Sequence, residues 1–151
     1  MEIQFLKDIA RVDELVAVFV NNAGISYITH IEVEEGRADS VSRWSKDLVD
    51  VLKKELISEV PKGNVLMASI DKSVAGFALI KIDGQKLVIE DVVAGQKGAG
   101  TELLEYIQNF AIKNGIKTLA GDVGFENYNA QKFMKKMGYE PQTIVYIKKI
   151  N

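Results

Sequence analysis

The sequence predicts a mixed α/β fold whose central sheet is mostly antiparallel and flanked by helices. Three observations predict it. Two β-type runs, Asn64–Ile70 and Val74–Ile82, are split only by Asp71-Lys72-Ser73, and an Asp83-Gly84 turn leads into a third, Lys86–Val93. The third run enters a glycine-rich loop and then a helix. A strand–helix–strand unit follows late in the chain. Consecutive hairpin strands do not belong to a regular doubly wound parallel sheet.

Taken in order, Glu2–Leu6 is a short first strand. Asp8 caps a helix with Ile9, Val12, Leu15, Val16 and Phe19 on one face and a stop near Gly24. Residues 25–38 have no clear period and several acids, and read as a loop or short irregular segment. From Ser40, the spacing of Val41, Trp44, Leu48, Val51, Leu52 and Leu56 predicts a second amphipathic helix, ended before Pro61 and Gly63. After the three β-type runs comes a helix from Thr101 to Asn114, with Leu103, Leu104, Ile107, Phe110 and Ala111 on one face and Gly115 as terminator. Lys117–Val123 is a strand, Asn127–Met137 a helix and Tyr139–Lys148 a last strand. The order is β-α-α-β-β-β-α-β-α-β, over one domain, residues 1–151.

Composition narrows the function. A net charge of −2 gives no electrostatic case for a nucleic-acid partner. No apolar run reaches the ~18 residues of a membrane span, and MEIQFLKD lacks a signal-peptide layout, so a cytoplasmic protein without a membrane partner is expected. With no cysteine there is no disulfide, cysteine zinc site, Fe–S cluster or thiol nucleophile. A single histidine, His30, rules out His-rich metal sites, and no metal is expected. Catalysis must then use carboxylates, hydroxyls, amines, backbone dipoles or a bound cofactor. The charge is uneven: residues 95–151 carry +3 and residues 1–94 carry −5.

The informative stretch runs from Ile89 to Phe110. A strand enters Gly95-Gln96-Lys97-Gly98-Ala99-Gly100 and a helix starts at once. A helix N-terminus offers unpaired N–H groups and a positive dipole end, and glycines allow close approach, which together favour a phosphate or pyrophosphate. Lys97 adds charge and Thr101 a hydroxyl. The spacing is G-x-x-G-x-G, neither the nucleotide P-loop nor the dinucleotide G-x-G-x-x-G. Two other readings stay open: a dinucleotide loop with Asp122 as the ribose acid, and a glycine turn without a ligand.

These residues resemble the GNAT superfamily of N-acetyltransferases. Its coenzyme A pyrophosphate loop reads (Gln/Arg)-x-x-Gly-x-(Gly/Ala) between a strand often ending Val-Val, as in IEDVV, and a helix often continuing G-T-x-L-L, as in Gly100-Thr101-Glu102-Leu103-Leu104. Downstream, Asn127-Tyr128-Asn129-Ala130, Phe133, Lys136 and Gly138-Tyr139 resemble the family's Asn-x-x-Ala helix and its Gly-aromatic end. The close resemblance covers residues 86–140. It implies an acyl-CoA N-acyltransferase, with acetyl-CoA as donor and an amine of a small molecule or protein as acceptor. It implies cofactor contacts from Val92, Val93, Gln96, Lys97, Gly98, Ala99, Gly100, Thr101, Asn127, Phe133 and Lys136. The loop is about three residues shorter than usual, Gly95 stands where the family prefers Gln or Arg, and Met134 stands where it frequently has a Tyr acid. A catalytically weak coenzyme A-binding module is the alternative.

The chemistry is amine attack on a thioester. A thiol of pKa about 8.5 leaves as thiolate without full protonation. Presenting an amine of pKa about 10.4 in neutral form costs about 4.6 kcal/mol at neutral pH, so a base matters more than an acid. Glu90 and Asp91 interrupt an apolar strand and are the base candidates, expected on opposite faces by the period of two. Tyr128 is a candidate proton donor. By family analogy the acceptor side holds Tyr27, His30 and Glu32, with Trp44 nearby. A homodimer is compatible with all of this.

Overall fold

The computed structural model describes residues 1–150. Its sheet has five strands: β1 (Glu2–Phe5), β4 (Val65–Ile70), β5 (Ser73–Asp83), β6 (Lys86–Ala94) and β7 (Thr118–Gly121), in that spatial order. Neighbours are antiparallel except β6 and β7, which run parallel. The crossover between those two is α4 (Ala99–Lys113). One face of the sheet is covered by α1 (Val12–Asn22) and α3 (Leu48–Glu59), the other by α4 with α5 (Tyr128–Lys136) beside it. Val65, Met67, Phe77 and Leu79 point to the first layer; Leu66, Ala68, Ala78 and Ile80 point to the second. This is the alternation that a sheet buried on both faces requires.

The α1 stripe is buried as its spacing predicts, with Val12, Leu15, Val16 and Phe19 all at 5% exposure or less. Asp8 accepts from the Ala10 N–H, but caps a 3-10 turn over Ile9–Arg11 that precedes α1 and leaves Ile9 exposed. Within residues 25–38, a 3-10 turn covers Ile25–Tyr27 and a short α2 covers His30–Glu34.

Two elements depart from expectation. The second helix starts at Leu48, not near Ser40. Before it lies a hairpin, β2 (Ala38–Ser40) and β3 (Arg43–Trp44). Serine explains the shift: Ser40 Oγ accepts from the Ser42 N–H and Ser45 Oγ from the Asp47 N–H, local bonds that compete with helix. Val41 is consequently exposed, and Trp44 packs edge-on to Phe19 from a strand. The second departure is the last strand. Residues 139–148 form no strand, and residues 140–150 are exposed throughout.

A β-bulge positions the functional acids. Leu79 pairs with Asp91 and Ile80 with Ile89, so Glu90 is an extra residue on β6. The bulge changes the strand's facing. Leu87 and Ile89 pack in the α4 layer, whereas Val93 packs in the α1/α3 layer. The expectation that Glu90 and Asp91 diverge to opposite faces is corrected: both are gathered around Arg37, Glu55 and Lys81. Beyond the bulge, Gly76 is obligatory, since a Cβ there would lie 2.6 Å from the Val93 carbonyl oxygen.

Candidate active site

The parallel pairing of β6 and β7 ends at Ile89 and Gly121. β6 continues to Ala94 while the chain after Gly121 peels away toward α5. The two strands therefore fork. The edge of β6 from Glu90 to Ala94 that faces away from β5 has no strand partner. A cleft of about 220 Å³ occupies the fork. Tyr27, Glu32, Glu90, Val92, Val93 and Asp122 line it, with Asn127, Phe133 and Met134 on its α5 side. Three carboxylates on one cleft suit a cation.

The peeling segment is held by small contacts. A Cβ on Gly124 would lie 2.5 Å from the Ser26 carbonyl oxygen, so this position brings residues 122–127 against the 25–28 turn. Gln131 Nε2 donates to the Gly124 and Phe125 carbonyls at 3.0 and 2.8 Å. Asn127 caps α5, its Oδ1 accepting from the Ala130 N–H at 3.3 Å, and also lines the cleft.

At the far end of β6 the loop turns into α4 through Gly98, at φ +90, a conformation glycine tolerates. Gly95 and Gln96 both donate their N–H groups to the Ala75 carbonyl, at 2.8 and 3.0 Å. The Ala99 N–H donates to Gln96 and its side chain is buried in the core. Gln96 and Ala99 therefore have no backbone donor left for a ligand, which corrects that part of the sequence expectation. The N–H groups of Lys97, Gly98, Gly100 and Thr101 find no backbone acceptor among the described residues. They form the free donor set at the α4 N-terminus. Gly100 abuts the Phe133 ring, at 3.4 Å from where a Cβ would sit.

Four further expectations are corrected. Asp91 does not reach the main cleft. It is 2% exposed, accepts a forked pair of bonds from Arg37 at 2.8 and 2.9 Å, and accepts from the Tyr27 hydroxyl. An acid so saturated is structural. Tyr128 is 67% exposed on the first turn of α5 and does not line the cleft. His30 lies on α2 beside Glu34, at 3.6 Å, and lines neither this cleft nor the smaller one behind it. Lys136 is exposed and likewise absent from the cleft wall, while Val92, Val93, Glu32 and Glu90 are on it. Tyr27 contributes its ring to the cleft, but its hydroxyl is committed to Asp91.

Sequence reasoning missed the centre of this arrangement, Arg37. Its side chain is 2% exposed and joins Asp91, Glu55 at 2.9 Å and Glu35 at 3.5 Å. Burial opposes its charge, yet the bonds to Asp91 and the charges of Asp91 and Glu55 hold it well above the ordinary arginine value. Burial and the Asp91 charge push Tyr27 far above the phenol range, so it stays an O–H donor. Burial raises Glu32 as well, against a hydrogen bond from Thr29. Glu90 is distinctive: Oε1 lies 3.4 Å from Lys81, whereas Oε2 is buried with no hydrogen-bond partner.

Oxygens of Glu35, Glu55 and Glu90 lie within 4.8 Å of one another. Burial first, then the Glu55 charge, raise Glu35 from 4.5 to about 7 despite Arg37. Between those values the folded state holds the proton longer than the unfolded one, so this group lowers stability as pH rises from 4.5 to 7. Glu35→Gln is expected to raise the melting temperature at pH 8, with a smaller gain at pH 5. An equal gain at both would reject this origin.

Residues 27–139 match the acetyltransferase (GNAT) family. The chain belongs to that family. This GNAT chain is similar to a PaiA N-acetyltransferase of Thermoplasma acidophilum, solved in complex with coenzyme A, at 19% identity and TM-score 0.70, covering 93% of this chain and 90% of that one. It is similar to the BH1408 protein of Bacillus halodurans at 14% identity and TM-score 0.75, covering 99% and 100%. A ribosomal-protein-alanine N-acetyltransferase of Brucella melitensis biovar Abortus 2308 aligns at 11% identity and TM-score 0.64, covering 99% and 100%. At such identities these likenesses speak to the fold. No curated protein matches the sequence. The GNAT match begins at Tyr27 and ends at Tyr139, so it covers the cleft wall apart from Asn22 and Ala23. No helix among the described residues is long and apolar enough to cross a membrane.

Proposed function

We propose that this GNAT chain transfers an acetyl group from acetyl-CoA to a primary amine, on a small molecule or a protein, by direct attack in a ternary complex. The fork between β6 and β7 carries the reading. An extended amide-bearing arm fits along the unpaired edge of β6, where backbone groups lack a strand partner. Its pyrophosphate end then meets the free N–H groups of Lys97, Gly98, Gly100 and Thr101. Asn127 and Phe133 face the same arm from α5. Acetyl-CoA supplies an acyl carbon already activated by a thiol leaving group.

The chain's own residues handle the amine. Glu32, Glu90 and Asp122 attract it as a cation. Glu90, whose side chain is on the cleft wall, takes its proton. A free N–H on the β6 edge polarises the thioester carbonyl. A cytoplasmic place of action accompanies this donor. One observation favours the alternative of a weak or inactive coenzyme A-binding module: Met134 lines the cleft, and neither Tyr27 nor Tyr128 offers it a free hydroxyl.

Thermal melting tests the shared part of both readings. Acetyl-CoA at 100 times its Kd is expected to stabilise by about 2.7 kcal/mol, read as a rise of several degrees. Gly98→Glu, which puts bulk and negative charge among the free donors, is expected to abolish that rise. A full rise in the variant would reject the pyrophosphate assignment. Thiol release over an amine panel then separates enzyme from module.

A further inference from the structure

Each turnover of the proposed transfer has to dispose of a proton. The acceptor arrives as an ammonium and loses two protons, one before its nitrogen attacks and one as the C–N bond forms. The C–S bond breaks with its electron pair on sulfur, and the thiolate takes up one of the two. The other has to reach solvent. Glu90 receives it first, and a base that keeps its proton works only once.

Glu90 stands between two cavities. One is the cleft; behind it lies a smaller cavity of about 60 Å³, and Glu32, Ile89, Glu90 and Asp122 belong to the walls of both. That volume has room for water, with Thr29, Glu35 and Arg37 as polar partners. Most acids around it are already committed. Asp91 is saturated by Arg37 and Tyr27, and Glu55 accepts from Arg37 Nη2 and Nε at 2.9 and 3.3 Å. Glu32 accepts from the Thr29 hydroxyl at 2.6 Å. Asp122 is exposed on the cleft, in the acceptor's own path.

Glu35 is the acid left over. Its side chain makes no hydrogen bond among the described residues; Arg37 Nε is 3.5 Å away. One of its oxygens lies within 4.8 Å of one of Glu90's, a gap that a single water spans. Its side chain also keeps 31% of its surface in solvent, so it reaches from the rear cavity to the outside. The charge around it favours holding a proton. Glu32 on its own helix, Glu55 on α3, and Glu90 and Asp91 on β6 face two cations, Arg37 and, beyond Glu90, Lys81 on β5. Burial and the Glu55 charge accordingly raise Glu35 to about 7, where a carboxyl takes up and gives up a proton at neutral pH with little bias.

We propose that Glu35 carries the proton from Glu90 to solvent through the rear cavity, which resets the base for the next turnover. The inference rests on the reading of Glu90 as the base in N-acetyl transfer. Glu35 acts through Glu90 and does not touch the acceptor.

Glu35→Gln keeps the shape and cannot carry a proton. Formation of the acetylated amine at pH 8 is expected to fall about tenfold or more, with the melting shift in acetyl-CoA as in the parent. A small proton carrier, 4-methylimidazole, is expected to restore turnover in proportion to its concentration in the variant and to leave the parent unchanged. Carbon-13 NMR of the side-chain carboxyls gives an arm independent of turnover. Glu35 is expected to titrate near 7 in the parent and lower in Glu90→Gln, where the neighbouring negative charge is gone. Parental turnover in Glu35→Gln, a loss that the carrier does not restore, or a Glu35 titration indifferent to Glu90→Gln would each overturn the relay. Failure of the underlying base reading looks different, since Glu90→Gln itself would then keep its turnover.

Discussion

Arg37→Met should cost this protein about 3–5 kcal/mol of stability, the usual penalty for leaving buried charges unpaired. Asp91 and Glu55 would lose the cation that holds them, at 2.8 and 2.9 Å. Domains of this kind are stable by about 5–15 kcal/mol, so the loss is a large share of the total. Urea unfolding reads it as a lower midpoint at unchanged slope. The triple change Arg37→Met, Asp91→Asn, Glu55→Gln should recover most of the loss, because it removes the charges along with their partner. Arg37→Lys should fall between, since an ammonium cannot fork across both Asp91 oxygens. A loss under about 1 kcal/mol in the single variant would mean that the network does not hold α2, α3 and β6 together.

Glu90→Gln should lower turnover by about 10²–10⁴-fold, the range for a positioned general base, while the melting shift with acetyl-CoA stays as in the parent. Gln keeps the shape but cannot take the amine's proton. Raising the pH, which deprotonates the free amine, should partly rescue the variant. Asp91→Asn serves as the contrast. Its acid is saturated by Arg37 and Tyr27, so its effect should appear in stability. Unchanged turnover in Glu90→Gln would reject the base assignment and leave coenzyme A binding standing.

What could be read from the sequence was local. The hairpin strands were legible because turn residues and alternation are written in adjacent positions. Asn127 was legible as a cap because a cap acts within three residues. The glycine loop was legible as a strand-to-helix joint, but not the division of its donors, because Ala75 lies about twenty residues away in sequence. Arg37 was illegible for the same reason: its main partner, Asp91, is 54 residues distant. Residues 40–47 suited a helix by apolar spacing, and the Ser40 and Ser45 side chains bond local backbone N–H groups in the hairpin and turn that form instead. Residues 139–148 carry a strand's composition, yet composition does not by itself pair a strand, and these residues bond to no other.

The extra residue at Glu90 acts as a phase shift in β6. Upstream of it, odd-numbered side chains belong to the α4 layer; downstream, they belong to the α1/α3 layer. Deleting this single residue would therefore do more than remove a carboxylate. It would restore the uniform beat of the strand and rotate Asp91 away from Arg37, or Ile89 out of its layer. Sequence comparison across this strand must count positions from each side of the bulge separately, because a one-residue gap there exchanges the inside of one layer for the inside of the other.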